Sequence, residues 1–92
     1  MTIKEQEMHV CRRLKHFREQ ARMSQMELAL SAGISQNMIA YIENCKRTPT
    51  LKTLLKLCEA LGISPEVLFR KQNSDADQVR ETMHKYIDYY VR

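Results

Sequence analysis

The sequence predicts an all-α fold, and three observations carry that expectation. Glycine and proline each occur only twice in 92 residues, while strong helix formers such as Leu, Ala, Glu, Lys and Arg abound. Apolar residues return at three- and four-residue spacing along most of the chain. No run alternates apolar and polar residues as a half-buried strand would, and no Asn-Gly or Asp-Gly pair marks a hairpin. The length suits about one domain.

The first helix is expected within residues 4–22. Val10, Leu14, Phe17 and Ala21 repeat at four, three and four residues and so share one face. Arg12, Arg13, Lys15, Arg18 and Arg22 lie mostly elsewhere around it. "MSQMEL" (residues 23–28) then starts a second helix. Ser24 and Glu27 stand at capping-box spacing, and Met23 and Leu28 are placed as a hydrophobic staple. This helix runs to about Ser31 and stops at Gly33, which takes positive φ at little cost.

Ser35 caps a third helix, which runs to about Asn44. Two short helices joined by a three- or four-residue turn with Gly form a helix-turn-helix pattern. Pro49 ends the "CKRTP" break, and Thr50 caps a fourth helix from Leu51 to about Leu61. That segment is the most apolar, with Leu51, Leu54, Leu55, Leu57, Cys58 and Leu61. Gly62 ends it and Ile63 folds back on its last turn. Ser64-Pro65-Glu66 opens a fifth helix, with Pro at the first helical position and "VLF" (67–69) as its buried side.

Residues 70–74 (RKQNS) read as a linker. Ser74 caps a last amphipathic helix over about residues 75–91, with Asp75 and Asp77 near its positive end. Its stripe includes Val79, Met83, Tyr86, Ile87 and Tyr90, which must find a surface to cover it. Residues 1–70 are thus expected as the main domain, and residues 71–92 as a linker and C-terminal helix.

The net charge is +4, and all of that excess lies before residue 71. Residues 1–70 carry 11 Lys and Arg against 7 Asp and Glu, whereas residues 71–92 carry four of each. An anionic partner would require the first part to be basic. Cys11, Cys45 and Cys58 are odd in number and fit no metal-finger spacing, so free thiols in a reducing compartment are expected. The N-terminal MTIKEQEMHVCRRL has acidic residues and no apolar core of signal-peptide length. No run of 18 apolar residues exists to span a membrane. A cytoplasmic location is the expectation.

The run "SQMELALSAGISQNMIAYIENCKRTPTLKTLLKLCEALGISPEVLF" resembles the lambda/Cro-type repressors, the helix-turn-helix group also called the xenobiotic-response-element family. The likeness covers roughly residues 10–69. Gln25 opens the motif, Ala29 is the small residue where two helices touch, and Gly33 makes the turn. Leu28, Ile34, Ile39 and Ile42 occupy the apolar slots. The resemblance implies a five-helix domain that reads double-stranded DNA, and so a transcription regulator. It also implies that Gln25 holds a phosphate at a helix N-terminus, where the dipole favours an anion. Arg18 and Glu43 match family positions that form a structural salt bridge. One departure stands out: the family usually has glycine after Asn44, and this chain has Cys45. Asn tolerates positive φ better than Cys, so either Asn44 takes that conformation or the turn is remodelled.

A major groove about 12 Å wide admits one helix, whose N-terminal residues meet base edges. With the third helix in that role, Ser35, Gln36, Asn37, Ala40 and Tyr41 face DNA. Gln36 and Asn37 carry amides able to pair two-pronged with adenine, and Ala40 and Tyr41 can meet a thymine methyl. Asn44, Lys46, Arg47, Thr50 and Lys52 join Gln25 as candidate phosphate contacts. Each lysine or arginine taken alone is as well explained by plain solvation. Two-fold operators need two reading heads, so a homodimer is expected, joined through the C-terminal stripe, with packing of that stripe on its own domain as the other option.

Other classes are weaker. No Gly-rich phosphate loop, HExxH or partnered nucleophile marks an enzyme, and no cofactor or metal is expected. Thiol or metal sensing lacks a ligand set: His9 and Cys11 point apart on a helix, and Cys45 sits beside Lys46 and Arg47. The remaining alternative is a protein-interaction module, an antitoxin or anti-regulator that holds a protein partner through the C-terminal helix.

Overall fold

The computed structural model describes residues 1–71, and they are all-α. In chain order the elements are α1 (Ile3–Gln20), α2 (Gln25–Ala32), α3 (Gln36–Glu43), α4 (Leu51–Leu61) and a 3-10 turn (Pro65–Leu68). No strand occurs among the described residues. The expected dimerisation stripe, Val79, Met83, Tyr86, Ile87 and Tyr90, lies outside them.

Each of the four described α-helices starts on a hydroxyl. The side chains of Thr2, Ser24, Ser35 and Thr50 accept from the backbone N–H three residues on, each satisfying a donor the helix itself leaves free. At Ser24 the capping box is complete, because Glu27 also accepts from the Ser24 N–H at 3.0 Å. This bond holds the Glu27 carboxyl below its usual range. The Thr2 cap explains why α1 begins at Ile3, slightly ahead of the expected start.

Each described α-helix also has a left-handed residue at its C-cap or one residue beyond it. Gly33 (φ +72) closes α2 and Gly62 (φ +67) closes α4. The other two are not glycines: Arg22 (φ +57) follows α1, and Cys45 (φ +58) follows α3. In both, the next residue bonds back across the last turn, Met23 N–H to Arg18 O at 3.1 Å and Lys46 N–H to Tyr41 O at 2.9 Å. Asn44 (φ −85) stays on the ordinary side. Of the two sequence-based options for this turn, neither holds. Cys45 itself takes the glycine-like conformation.

The core is one cluster drawn from all five elements. Val10, Cys11 and Leu14 of α1 meet Leu28, Ala29 and Ala32 of α2, Ile39 and Ile42 of α3, Leu54, Leu57 and Cys58 of α4, and Leu68. Several expectations need correction here. Ala21 lies beyond the end of α1 and is exposed, because the Arg22 turn stops the helix at Gln20. Leu51 and Leu55 sit one turn apart on an exposed stripe of α4. The fifth element is a single 3-10 turn rather than an α-helix. It buries Leu68 and leaves Phe69 60% exposed.

Arg13 also departs from the sequence reading. It is only 7% exposed, lies over the Phe17 ring at 4.8 Å, and donates from Nη2 to the Val67 carbonyl at 3.0 Å. It fastens the 3-10 turn to α1. Its Nε and Nη1 have no partner among the described residues.

Candidate nucleic-acid interface

The turn between α2 and α3 is set by small residues. The Gly33 and Ile34 N–H groups both donate to the Ala29 carbonyl, at 2.9 and 3.1 Å. Ser35 then caps α3 by accepting from Met38 N–H at 3.1 Å. Ala29 is buried in the core cluster. A larger side chain there would push the helices apart.

α3 divides its circumference cleanly. At ~100° per residue, Met38, Ile42, Ile39 and Glu43 fall on one side, and Gln36, Ala40, Asn44, Asn37 and Tyr41 on the other. Ile39 and Ile42 are almost fully buried. Ser35, Gln36, Asn37 and Asn44 are exposed, Tyr41 is 48% exposed and Ala40 is half-buried. An eight-residue helix with so little buried surface cannot hold itself together. Its stability comes from the isoleucines, its two caps and Glu43, which leaves the polar arc free of structural duty.

Glu43 is buried at the inner edge of that arc. Arg18 donates to it through Nε (2.6 Å to Oε2) and Nη2 (3.0 Å to Oε1), and through Nη1 to the Met23 carbonyl at 2.7 Å. Glu43 raises the Arg18 pKa by accepting the first two of these bonds. Gln25 adds a third bond to the same carboxylate, from Nε2 to Oε1 at 3.1 Å. One carboxylate thus ties α3 to α1 and to the first residue of α2.

The expected phosphate contacts divide into two kinds. Lys46 and Arg47 are exposed, and their backbone N–H groups both donate to the Tyr41 carbonyl, at 2.9 and 3.2 Å. The Cys45 turn therefore sets these two cations beside the last turn of α3. Asn44 and Lys52 are exposed as well. Gln25 and Thr50 already have structural partners: the Gln25 amide holds Glu43, and the Thr50 oxygen caps α4 by accepting from Thr53 N–H at 3.1 Å. Each retains further hydrogen-bonding capacity.

Among the described residues no His, Cys, Asp and Glu side chains gather as a metal site, and no helix is long and apolar enough to cross a membrane. One arrangement was invisible to the sequence reading. Cys11 and Cys45, 34 residues apart in the chain, line one small cavity between α1 and the turn after α3.

Comparison with known proteins adds the lineage. A helix-turn-helix family model matches residues 14–68, more than half of the chain. An immunity repressor protein of Bacillus phage phi105 is 30% identical over 80 residues, covering 80% of this chain and 56% of the repressor. An uncharacterized HTH-type transcriptional regulator of Haemophilus influenzae is 47% identical over 45 residues, covering 49% of this chain and 46% of its own. The chain therefore spans about half the length of these two curated relatives. A similar regulator of Archaeoglobus fulgidus is 33% identical over 57 residues, 62% of this chain and 80% of that one. Among solved structures, the restriction-modification controller protein C.AhdI from Aeromonas hydrophila superposes with a TM-score of 0.64 at 33% identity, over 66% of this chain and 92% of its own. With the Gly33 turn, the buried Ala29 and the capped α3 in place, the chain belongs to the helix-turn-helix family of lambda/Cro type.

Proposed function

We propose that this protein is a sequence-specific, double-stranded DNA-binding transcription regulator. The observation that carries the reading is the polar arc of α3, which is exposed, backed by two buried isoleucines and flanked by Lys46 and Arg47. In the major groove the N-terminal end of such a helix meets base edges. Ser35, Gln36, Asn37, Ala40 and Tyr41 would read bases. Lys46, Arg47, Lys52 and Asn44 would hold phosphates, with Gln25 and Thr50 contributing from the helix starts. The names of the relatives, a repressor and transcriptional regulators, point the same way.

The regulator acts as a homodimer on a two-fold site, with residues 1–70 as reading head and residues 71–92 carrying the expected contact. Its setting is the cytoplasm, and it is not an enzyme. One surface favours association: Ile3, Val10, Leu51, Leu54 and Phe69 line a cavity of about 340 Å³ built from α1, α4 and the end of the 3-10 turn, without α3. Ile3, Leu51 and Phe69 are largely exposed there. The same surface also suits the second reading, a module that holds another protein.

The test is selection from a random double-stranded DNA library at two salt concentrations. Enrichment of a two-fold motif with half-sites about 34 Å apart, one helical turn, supports base reading and the dimer together. About 6–8 neutralised phosphates per dimer predict a log–log salt slope near −5 to −7. Weak, salt-sensitive binding without enrichment would overturn base reading by α3 and turn attention to a protein partner.

A further inference from the structure

The seam between α1 and the turn after α3 holds two thiols whose contacts cross. Cys45 Sγ lies 3.8 Å from the carbonyl oxygen of Met8, about one turn before Cys11. Cys11 Sγ lies 3.9 Å from the carbonyl oxygen of Arg47, two residues past Cys45. Each thiol donates weakly to the backbone beside the other cysteine. Both line a cavity of about 260 Å³, which Lys4, Glu7 and Arg47 also border. Burial first, and then the neighbouring Cys45 and Glu7, push the Cys11 thiol up to about 11. Cys58 is apart from this pair, raised by burial alone.

We propose that Cys11 and Cys45 form a reversible dithiol–disulfide site that takes a small hydroperoxide as oxidant. Cys11 is 2% exposed and Cys45 half-buried, so peroxide meets Cys45 first. Cys45 loses its proton and its sulfur attacks one peroxide oxygen. The O–O bond breaks, an S–O bond forms, and the departing hydroxide takes up a proton and leaves as water. Cys45 is then a sulfenic acid. The Cys11 sulfur displaces the hydroxyl from Cys45: the S–S bond forms, the S–O bond breaks, and a second water leaves with the Cys11 proton. Two thiols have given two electrons to one hydrogen peroxide, yielding a disulfide and two waters. A thiol reductant reverses the bond by exchange.

The bond would act mechanically on the neighbouring turn. Sulfur atoms in a disulfide stand ~2.05 Å apart, closer than any non-bonded pair. Closing it draws the turn after α3 towards α1, with Cys45 already at a strained φ of +58. Lys46 and Arg47 follow directly, so oxidation shifts the cations beside the end of α3. This consequence rests on the DNA-binding reading above, whereas the dithiol site itself does not.

The test treats the full chain with hydrogen peroxide, blocks remaining thiols under denaturing conditions, and maps peptides without reduction. The expected product is a monomer-sized chain with the Cys11 and Cys45 peptides linked, reversed by dithiothreitol. Its affinity for a selected DNA falls at least five-fold, while Cys45→Gly, whose new residue suits the backbone, binds DNA equally well with and without peroxide. Cys11 left free while Cys45 proceeds to sulfinic acid would overturn the site, as would chains linked through Cys45. A linked pair with unchanged DNA affinity would overturn the coupling to the turn. The peptide map needs no DNA, so failure of the dithiol site and failure of DNA reading are separately visible.

Discussion

The Glu43 carboxylate receives Arg18 in a two-pronged grip, Nε on one oxygen and Nη2 on the other, with side chains only 3% and 12% exposed. The pair joins α3 to the helix that carries much of the core, and Gln25 joins the same carboxylate from α2. Its contribution to net stability over an apolar pair of the same shape is small, because both charges must be stripped of water. Breaking it is another matter.

Glu43→Gln leaves the Arg18 cation in place without a counter-charge, which costs up to ~3–5 kcal/mol. For a domain of this size, ~1 kcal/mol moves the melting temperature by about 4–8 °C. A fall of 10 °C or more is expected in a thermal melt followed by circular dichroism. Glu59→Gln, at an exposed position on α4, serves as control and should melt within about 2 °C of the parent. Equal melts for the two variants would remove the bridge from the stability account.

Base reading and backbone holding separate in a second experiment. Gln36 and Asn37 are exposed and their side chains make no hydrogen bond among the described residues, so Gln36→Ala and Asn37→Ala should leave the melt unchanged. Each should relax preference at one position of the half-site, by ~1–3 kcal/mol of discrimination. Lys46→Ala should instead weaken all sequences alike and flatten the salt slope by about 1 per reading head. Competition binding with single-base variants of the selected site distinguishes the two patterns. A uniform loss from Gln36→Ala and Asn37→Ala would exclude both from base reading.

Two left-handed turns allow substitutions of opposite sign. Arg22 holds φ +57 with an exposed side chain, so Arg22→Gly removes backbone strain of ~1–2 kcal/mol. Glycine's extra freedom in the unfolded chain returns ~0.4–1 kcal/mol of that. A net gain of about 0.5–1 kcal/mol is expected. Gly33→Ala runs the other way. A Cβ there meets nothing within 4 Å, so the ~1 kcal/mol loss is purely conformational at φ +72. Urea denaturation should raise the midpoint for the first variant and lower it for the second. The reverse order would refute the assignment of these turns.

The same turns mark how far the fold was legible in the chain. Helix starts were readable because a hydroxyl cap acts within three residues, and all of Ser24, Ser35 and Thr50 cap as their positions suggest. Glycine ends were readable for the same reason. The ends at Arg22 and Cys45 were not, since neither residue favours positive φ. They take it because the helices on either side are anchored elsewhere. The burial of Arg13 was hidden too, as its acceptor is a backbone carbonyl 54 residues away. At the interface, the exposed arc of α3 followed from spacing alone. The bond from Gln25 to Glu43 and the meeting of Cys11 with Cys45 depend on how three helices close on one another, which no local pattern encodes.

Alkali should find a weak point at Cys11. Burial, with Cys45 and Glu7 nearby, raises this thiol from its ordinary 9.0 to about 11, so the folded chain keeps its proton where the unfolded chain has lost it. Below pH ~9 both states are protonated and the full stabilisation is present. Between ~9 and ~11 the unfolded state ionises first, and stability falls by about 1.4 kcal/mol per pH unit, up to ~2–3 kcal/mol in all. The comparison that isolates this contribution is with Cys11→Ala, kept reduced throughout. That variant starts less stable at pH 8, because the removed sulfur leaves a small cavity. Its melting temperature should then fall less between pH 8.5 and 11 than that of the parent, and the two curves should converge. Parallel curves over the whole range would mean that the Cys11 thiol ionises in the fold as readily as in the unfolded chain.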